Sequence, residues 1–324
     1  MKEKIKSYCN SIGIQEIGFV KCRRFDELIS FYNYRKENNL ENEFEESDIE
    51  KRINPKLYMN EGKTIISIAF PYLWNNDYVE NGFSKYTKGY DYHKVVKMHL
   101  DKICNMIIEA GGKAISLVDS NALPERYIAY LAGIGFIGKN NMIITKTHGS
   151  YVFLGEIITN LNLYDDDVRK FDEISKFKEC GECTICYKEC PTKAINEYKK
   201  NPNICTSYIT QKKELTDIEI KLLKDKIFGC DVCQNKCPYN ENISFSKIKE
   251  FKPLEFMENG KYEVYAEINN KAFKEKILPT SCGWRGKNII KRNAIIRLHN
   301  RGINIEKYKG DSPYLNKYIE ILNK

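Results

Sequence analysis

Cys180-Gly181-Glu182-Cys183-Thr184-Ile185-Cys186-Tyr187-Lys188-Glu189-Cys190-Pro191 is the stretch on which the reading of this chain turns. Its spacing, Cys-x2-Cys-x2-Cys-x3-Cys-Pro, is the bacterial ferredoxin run, in which three thiolates hold one [4Fe–4S] cluster and the fourth reaches a second. A later run, Cys230-x2-Cys233-x3-Cys237-Pro238, has Ile227 where its first cysteine would stand, and Cys205 is free to replace it. Eight cysteines then supply two sites: Cys180, Cys183, Cys186 and Cys237 for the first cluster, and Cys190, Cys205, Cys230 and Cys233 for the second. Structural zinc also uses four cysteines in Cys-x2-Cys pairs, but zinc sites seldom array three cysteines this way ahead of x3-Cys-Pro. Two clusters held by interleaved ligands make an electron wire.

The rest of the chain must say where the electrons go. At 324 residues it is long enough for two domains or three. With 42% hydrophobic, 30% charged and 12% aromatic residues it has the composition of a folded protein rather than a disordered one. The start, Met1-Lys2-Glu3-Lys4-Ile5-Lys6, leads into no apolar signal region and no apolar run is long enough to span a bilayer, so the cytoplasm is the expected location, with no membrane partner. Cys9, Cys22, Cys104 and Cys282, scattered outside the cluster segment, are read as small apolar fillers.

Mixed helix and strand signals fill the first half. Lys2 to Ser11 reads as a helix, Glu16 to Val20 as a strand and Thr64 to Phe70 as a stronger strand ended by Pro71. Val95, Val96, His99, Leu100, Ile103, Ile107 and Ile108 fall at spacings of three and four, which predicts an amphipathic helix from Tyr92 to Ala110, capped by Gly111-Gly112. Ala114 to Val118 is then a strand, followed by Asp119-Ser120-Asn121 and a helix beginning near Pro124. Side chains at the carboxyl ends of strands project into the crevice where α/β proteins place chemistry, and Asp119 stands at such a position. Taken alone, Asp119 also suits a helix N-cap. Met142 to Thr145 and Tyr151 to Thr159 read as two strands of a hairpin through His148-Gly149-Ser150, and Asp165-Asp166-Asp167 as a hydrophilic link. The expectation is an α/β or α+β domain over residues 1–170, a ferredoxin-like two-cluster domain over 171–250, and a short helical segment over 251–324.

Net charge is +8, and residues 251–324 carry fifteen Lys/Arg against eight Asp/Glu, +7 of the total. Arg285, Lys287, Lys291, Arg292, Arg297, Arg301, Lys307 and Lys309 are opposed only by Glu306. A polyanion is the natural partner of such a run, a solvated helix face the bland alternative. Gly133-x-Gly135-x-x-Gly138 follows a helix instead of opening one, so it is a weak dinucleotide signal that a helix cap and close packing would equally explain. Asp91-Tyr92-His93 begins like the Asp-x-His-x-x-Gly loop that supplies some corrinoid proteins with a histidine ligand, but Val96 occupies the Gly position.

Seven blocks, in order along the chain, together resemble the epoxyqueuosine reductase family: Val118-Asp119-Ser120, Pro124-Glu125-Arg126, Ala132 to Asn140, the ferredoxin run, Cys205 to Gln211, Gly229 to Gln234 and Gly283-Trp284-Arg285-Gly286-Lys287. The resemblance implies a cobalamin-binding first domain, two [4Fe–4S] clusters and reduction of epoxyqueuosine to queuosine in tRNA, the last step of queuosine biosynthesis. It implies cobalamin without a histidine lower ligand, and a one-electron donor such as flavodoxin or ferredoxin. Asp119 matches the family's proton donor. Arg52, Lys139, Asn140, Ile143, Leu154, Ser207 and Gln211, with Asp119 itself, match segments around the corrin. Arg285, Lys287, Lys291 and Arg292 are the expected tRNA contacts. Another corrinoid reductase, of reductive dehalogenase type, or a non-enzymatic electron carrier are the alternatives. Relatives that continue into helical repeats differ from this chain, which stops at Lys324.

Overall fold

In the computed structural model, which describes residues 1–164, 169–198 and 200–324, the first half is organised by one antiparallel sheet. The aspartate link at 165–167 lies outside the described residues. β1 (Ile17–Lys21), β2 (Thr64–Pro71), β3 (Ala114–Leu117) and β6 (Val152–Thr159) stand in the order β1-β2-β6-β3, and every pairing is antiparallel. Of the two expected forms, α/β and α+β, the antiparallel ladder makes this α+β. β2 and β6 are buried along their whole length, because the sheet is covered on both faces. Ile66, Ile68, Phe70, Phe153 and Ile157 meet α1 (Lys2–Ser11) and α4 (Tyr92–Glu109) on one face. Ile65, Ala69, Val152, Leu154 and Ile158 meet α5 (Glu125–Leu131), α2 (Ile29–Glu37) and α3 (Ile49–Ile53) on the other. Alternate residues of each strand thus serve two separate cores.

The expected hairpin between residues 142 and 159 does not form. β5 (Ile143–Thr145) pairs with β4 (Gly135–Ile137) in a two-stranded sheet of its own. β6 has β2 on one side and β3 on the other, so no edge is left for β5. The connecting residues are drawn elsewhere: the backbone N–H of Thr147 and the ring of His148 bond the Glu16 carboxylate at 3.2 and 2.9 Å, and the Ser150 hydroxyl donates to Gln234 at 2.9 Å. The glycine-rich loop is structural. Gly133, at φ +77°, follows the last turn of α5, and a Cβ on Gly135 would overlap the Ile144 carbonyl across the β4–β5 ladder.

Short helices make up the remainder: α6 (Phe171–Ile174), α7 (Ile185–Glu189), α8 (Thr206–Ile209), α9 (Asp217–Leu223), α10 (Val232–Asn235), α11 (Glu263–Ala266) and α12 (Asn270–Ala272), then the longer α13 (Lys287–Asn300) and α14 (Pro313–Leu322). The cluster segment and the final segment share their cores. Ile209, Leu215, Ile220 and Leu223 pack with Ile296 and Tyr318, while Ile227 and Phe228 pack with Met257, Ile290, Ala294 and Ile319. Phe83, from the first half, joins the latter core and forms a parallel bridge to Phe228. Cys9, Cys22, Cys104 and Cys282 are buried within these cores, as their reading as fillers requires. Among the described residues no helix is long and apolar enough to cross a membrane.

Candidate functional site

Topology brings the site together. The chain climbs α4, turns at Gly111-Gly112 and returns along β3, so the residues after β3 arrive beside the first turn of α4. Asp119 therefore meets Tyr92 and His93, 27 and 26 residues earlier: its Oδ2 accepts the Tyr92 hydroxyl at 2.5 Å and lies 3.1 Å from His93 Nε2. The other ring nitrogen of His93 is 2.8 Å from Oδ1 of Asp91, which also caps α4. Tyr92 is held in place by stacking between His93 and Phe153, ring centres 4.1 and 4.2 Å away. Asp119 is no helix cap: α5 begins at Glu125 with Pro124 at its N-cap. It adopts φ +46°, a region Asp tolerates at some cost, and holds it through neighbours considered below.

The charges at this group compete with its burial. Burial works to raise the Asp119 carboxyl, but hydrogen bonds from His93 and Tyr92 and the charges of His93 and Arg126 outweigh it, and the net shift is downward. Burial disfavours a charged His93, yet its bonds to Asp119 and Asp91 raise it to about 9. The proton near neutral pH therefore sits on the imidazole, and the carboxylate is ionised. Desolvation alone would raise Asp119; with its side chain 54% exposed, water and His93 keep it low. Protein surrounds it on most sides, yet solvent reaches it.

The eight cluster-segment cysteines fall into two sets of four. The thiol of Cys186 is raised to about 11 by burial, with the charges of Cys180, Cys183 and Cys237 acting on it. Cys233 is raised by burial and then by Cys230, Cys205 and Cys190. Among the described residues no three Cys, His, Asp or Glu side chains converge closely enough to hold one ion. A zinc ion needs its sulfurs about 2.3 Å from a single point, whereas each iron of a cubane takes its own thiolate. Burial raises the Tyr86 hydroxyl and the charges of Cys282, Asp231, Asp119 and Cys205 add to it, so the acid group and the second cysteine set both act on one side chain. Lys200, pushed down to about 8 by burial and then by the Arg126 charge, also feels Cys186 and Cys180, which puts Arg126 close to the first set.

The remaining expected residues divide. Lys139 donates its Nζ to the carbonyls of Gly181 and Cys183 at 2.6 and 3.1 Å, and its backbone N–H points at Cys180 Sγ at 3.4 Å, so it braces the cysteine loop. Asn140, buried, donates to the Cys233 carbonyl at 3.4 Å. Arg52 pairs with Glu41 and Glu45 at 3.4 and 3.2 Å and lies 4.0 Å from the Tyr32 ring centre. Ile143 and Leu154 lie in the α5 core, and no corrin contact is assigned to them. Ser207 and Gln211 stay half-buried on the segment after Cys205.

Arg292 is a correction to the expected tRNA contacts. It is 0% exposed, its Nη1 donating at 2.7 Å each to the carbonyls of Lys212 and Lys213 and the hydroxyl of Tyr314, with its Nε on Asn293 Oδ1 at 2.9 Å. A side chain used this way cannot meet a phosphate. Arg297 is likewise buried, its Nη1 on the Asp225 carbonyl at 2.5 Å. Arg285, Lys287 and Lys291 remain at or near the surface, beside Trp284, which is 57% exposed. Arg285 lies 4.7 Å from the Trp284 ring centre and 5.2 Å from that of Phe44.

A chain with two four-cysteine sets and an acid–imidazole group, both acting on Tyr86, has the make-up of an iron–sulfur reductase. A 4Fe-4S double cluster binding domain matches residues 179–240, and a family described as Epoxyqueuosine reductase QueG, DUF1730, matches residues 52–120. The epoxyqueuosine reductase of Lactococcus garvieae is 34% identical over 93% of this chain and 87% of its own length. That of Bacillus subtilis is 35% identical over 92% of this chain and 78% of its own. Among solved structures, an epoxyqueuosine reductase with a tRNA-Tyr epoxyqueuosine-modified stem loop superposes with a TM-score of 0.88 at 32% identity, covering 99% of this chain and 88% of that one. The enzyme from Streptococcus thermophilus gives 0.84 at 33% identity, covering 99% and 89%. A Bacillus subtilis structure with its catalytic aspartate loop swung out of the active site gives 0.87 at 31% identity over 99% and 89%. This chain belongs to the epoxyqueuosine reductase family.

Proposed function

We propose that this chain reduces the epoxide of epoxyqueuosine in tRNA to the alkene of queuosine. The single observation that carries the reading is that the Asp119–His93–Tyr92 group and a four-cysteine set both act on Tyr86, in a chain of this family. The reaction removes the epoxide oxygen as water and consumes two electrons and two protons. We infer [4Fe–4S] clusters on the two cysteine sets named from the sequence, passing electrons singly towards the site.

The site suits cobalamin bound without a histidine ligand: both nitrogens of His93 are engaged by Asp91 and Asp119, and His99 and His148 are tied to Tyr8 and Glu16. When bound there, a reduced cobalamin would supply the electron pair to the epoxide carbon. Asp119 on one side, with Ser207 and Gln211 after Cys205 on the other, are the residues we assign to its surround, with Asn140 and Lys139 steadying the cysteine loops. The site's proton is held by His93. Closing the site removes water from Asp119, favours its neutral form and draws the proton from His93 to the carboxyl that faces the leaving oxygen. The tRNA surface is Arg285, Lys287 and Lys291 with the aromatic faces of Trp284 and Phe44, on which an unpaired base can stack. A flavodoxin or ferredoxin serves as donor in this reading, and residues 1–170, 171–250 and 251–324 act as cofactor, cluster and tRNA-facing regions.

The test is anaerobic reconstitution with iron, sulfide and cobalamin, a chemical reductant and epoxyqueuosine tRNA, followed by nucleoside analysis. Queuosine should accumulate with loss of one oxygen. Reduced enzyme carrying both clusters and cobalamin that leaves epoxyqueuosine untouched would refute the proposal.

A further inference from the structure

β6 runs Val152-Phe153-Leu154-Gly155-Glu156-Ile157-Ile158-Thr159, and Glu156 shares its face with Val152, Leu154 and Ile158 in the α5 core. A carboxyl stands where strand alternation calls for an apolar side chain. It is 0% exposed; its Oε1 accepts the Ser67 hydroxyl from β2 at 3.3 Å, and its Oε2 has no donor among the described residues other than what α5 offers. What α5 offers is another acid. The carboxyls of Glu125 and Glu156 are both buried and each acts on the other. Two neighbouring buried carboxyls do not both ionise, so one of them keeps a proton.

Glu125 also reaches the loop that carries Asp119. Its Oε1 accepts the backbone N–H of Asp119 at 2.7 Å and the side-chain amide of Asn121 at 2.8 Å. These bonds span the turn that holds Asp119 at φ +46°. Buried sheet, acid pair, loop and Asp119 thus form one continuous column ending at the site.

We propose that Glu125 is the positioning residue that latches the Asp119 loop over the site, and that Glu156 behind it holds the proton that lets the two acids stay together. The inference rests on the reading of Asp119 given above. The groups facing the pair are few: Ser67 from β2, Asp119 and Asn121 from the loop, and Arg126 from α5, with Tyr92 and His93 of α4 acting through Asp119. Burial and then the Asp119 charge push Glu125 up to about 7, and burial and then the Glu125 charge keep Glu156 well above the usual carboxylate range. As pH rises through about 7 Glu125 ionises first and becomes the stronger acceptor for the Asp119 amide, so the latch tightens.

The experiment uses the full, cluster-loaded chain. Glu125→Ala should speed hydrogen exchange across residues 118–124 and lower single-turnover rate by about 10²-fold, the usual cost of misplacing a reacting group by an ångström. Iron content and tRNA KM should stay as in the parent. Glu125→Gln keeps an acceptor and should retain most of the rate while losing the rise of rate with pH near 7. Glu156→Gln stays neutral beside Glu125 and should move that rise to lower pH. Exchange and rate within threefold of the parent for Glu125→Ala would overturn the latch. Should that variant lose its clusters, Glu156→Gln decides: an unmoved pH profile overturns the proton held by Glu156. Faster loop exchange with unchanged turnover would instead refute the catalytic reading of Asp119.

Discussion

Replacing Arg292 with alanine separates a clamp from a nucleic-acid contact. Its guanidinium joins α13 to the backbone at Lys212 and Lys213, a few residues past Cys205. Removing it leaves the Lys212 carbonyl and Asn293 Oδ1 without their donor, whereas the Lys213 carbonyl keeps the Tyr314 hydroxyl at 2.5 Å. Each buried acceptor left unpaired costs roughly 1–3 kcal/mol. The Nη2 of Arg292 has no partner, so its removal offsets part of that loss. The balance is about 3 kcal/mol, which in a protein of 324 residues lowers Tm by roughly 4–5 °C. Thermal unfolding followed by circular dichroism, iron content after mild heating and the salt dependence of tRNA binding would be measured together. We expect a lower Tm, earlier loss of the cluster bound through Cys205, and an unchanged log–log salt slope. A variant with the parent's Tm and a slope reduced by about 0.7–0.9 would show that Arg292 meets phosphate, refuting the assignment.

Lys287→Ala with Lys291→Ala should do the reverse, flattening the salt slope by up to about 0.7–0.9 per contact with Tm unchanged. Trp284→Ala should raise tRNA KM roughly tenfold, in keeping with stacking worth about 1–3 kcal/mol per base, and an unchanged KM counts against the aromatic platform. Cys205→Ala should lose iron from one cluster and keep the other, read by iron analysis and electron paramagnetic resonance; eight irons retained per chain would remove Cys205 from the ligand set. Asp119→Asn should keep both clusters and lose about 10²–10⁴-fold in turnover, and a loss under about threefold rules it out as donor. His93, raised to about 9 from 6.5, binds its proton more tightly in the folded chain. Its contribution to stability is complete below about 6.5 and lost as pH rises through about 9, so His93→Gln should flatten the stability profile in that window.

What was legible in the sequence was what local spacing controls. The Cys-x2-Cys pattern exposed the thiols because a tight turn alone gathers them, and the period of Val95 to Ile107 exposed α4 because one helix face is one core. Strand partners were not legible. β5 chose β4 over β6 because both edges of β6 were taken by strands far away in sequence. The pairing of Asp119 with His93 was hidden for the same reason, although the reach of an 18-residue helix followed by a return strand could have suggested it. Glu156 was passed over as part of a strand, yet a lone acid in an otherwise apolar eight-residue run was a signal available to the eye. Counting charges misled at Arg292, since charge belongs to the residue but exposure belongs to the fold.

The bridge between Phe83 and Phe228 has a consequence for how the protein is made. Residues emerge from the ribosome in order, and early domains ordinarily fold before late ones appear. Here Phe83 must wait for Ile227 and Phe228, and that core in turn closes only with Leu315 and Ile319, made some ninety residues later still. The cysteines are thus translated well before the walls around them exist. The packing around the cysteine segment is completed by helices that follow it in the chain, not by those that precede it.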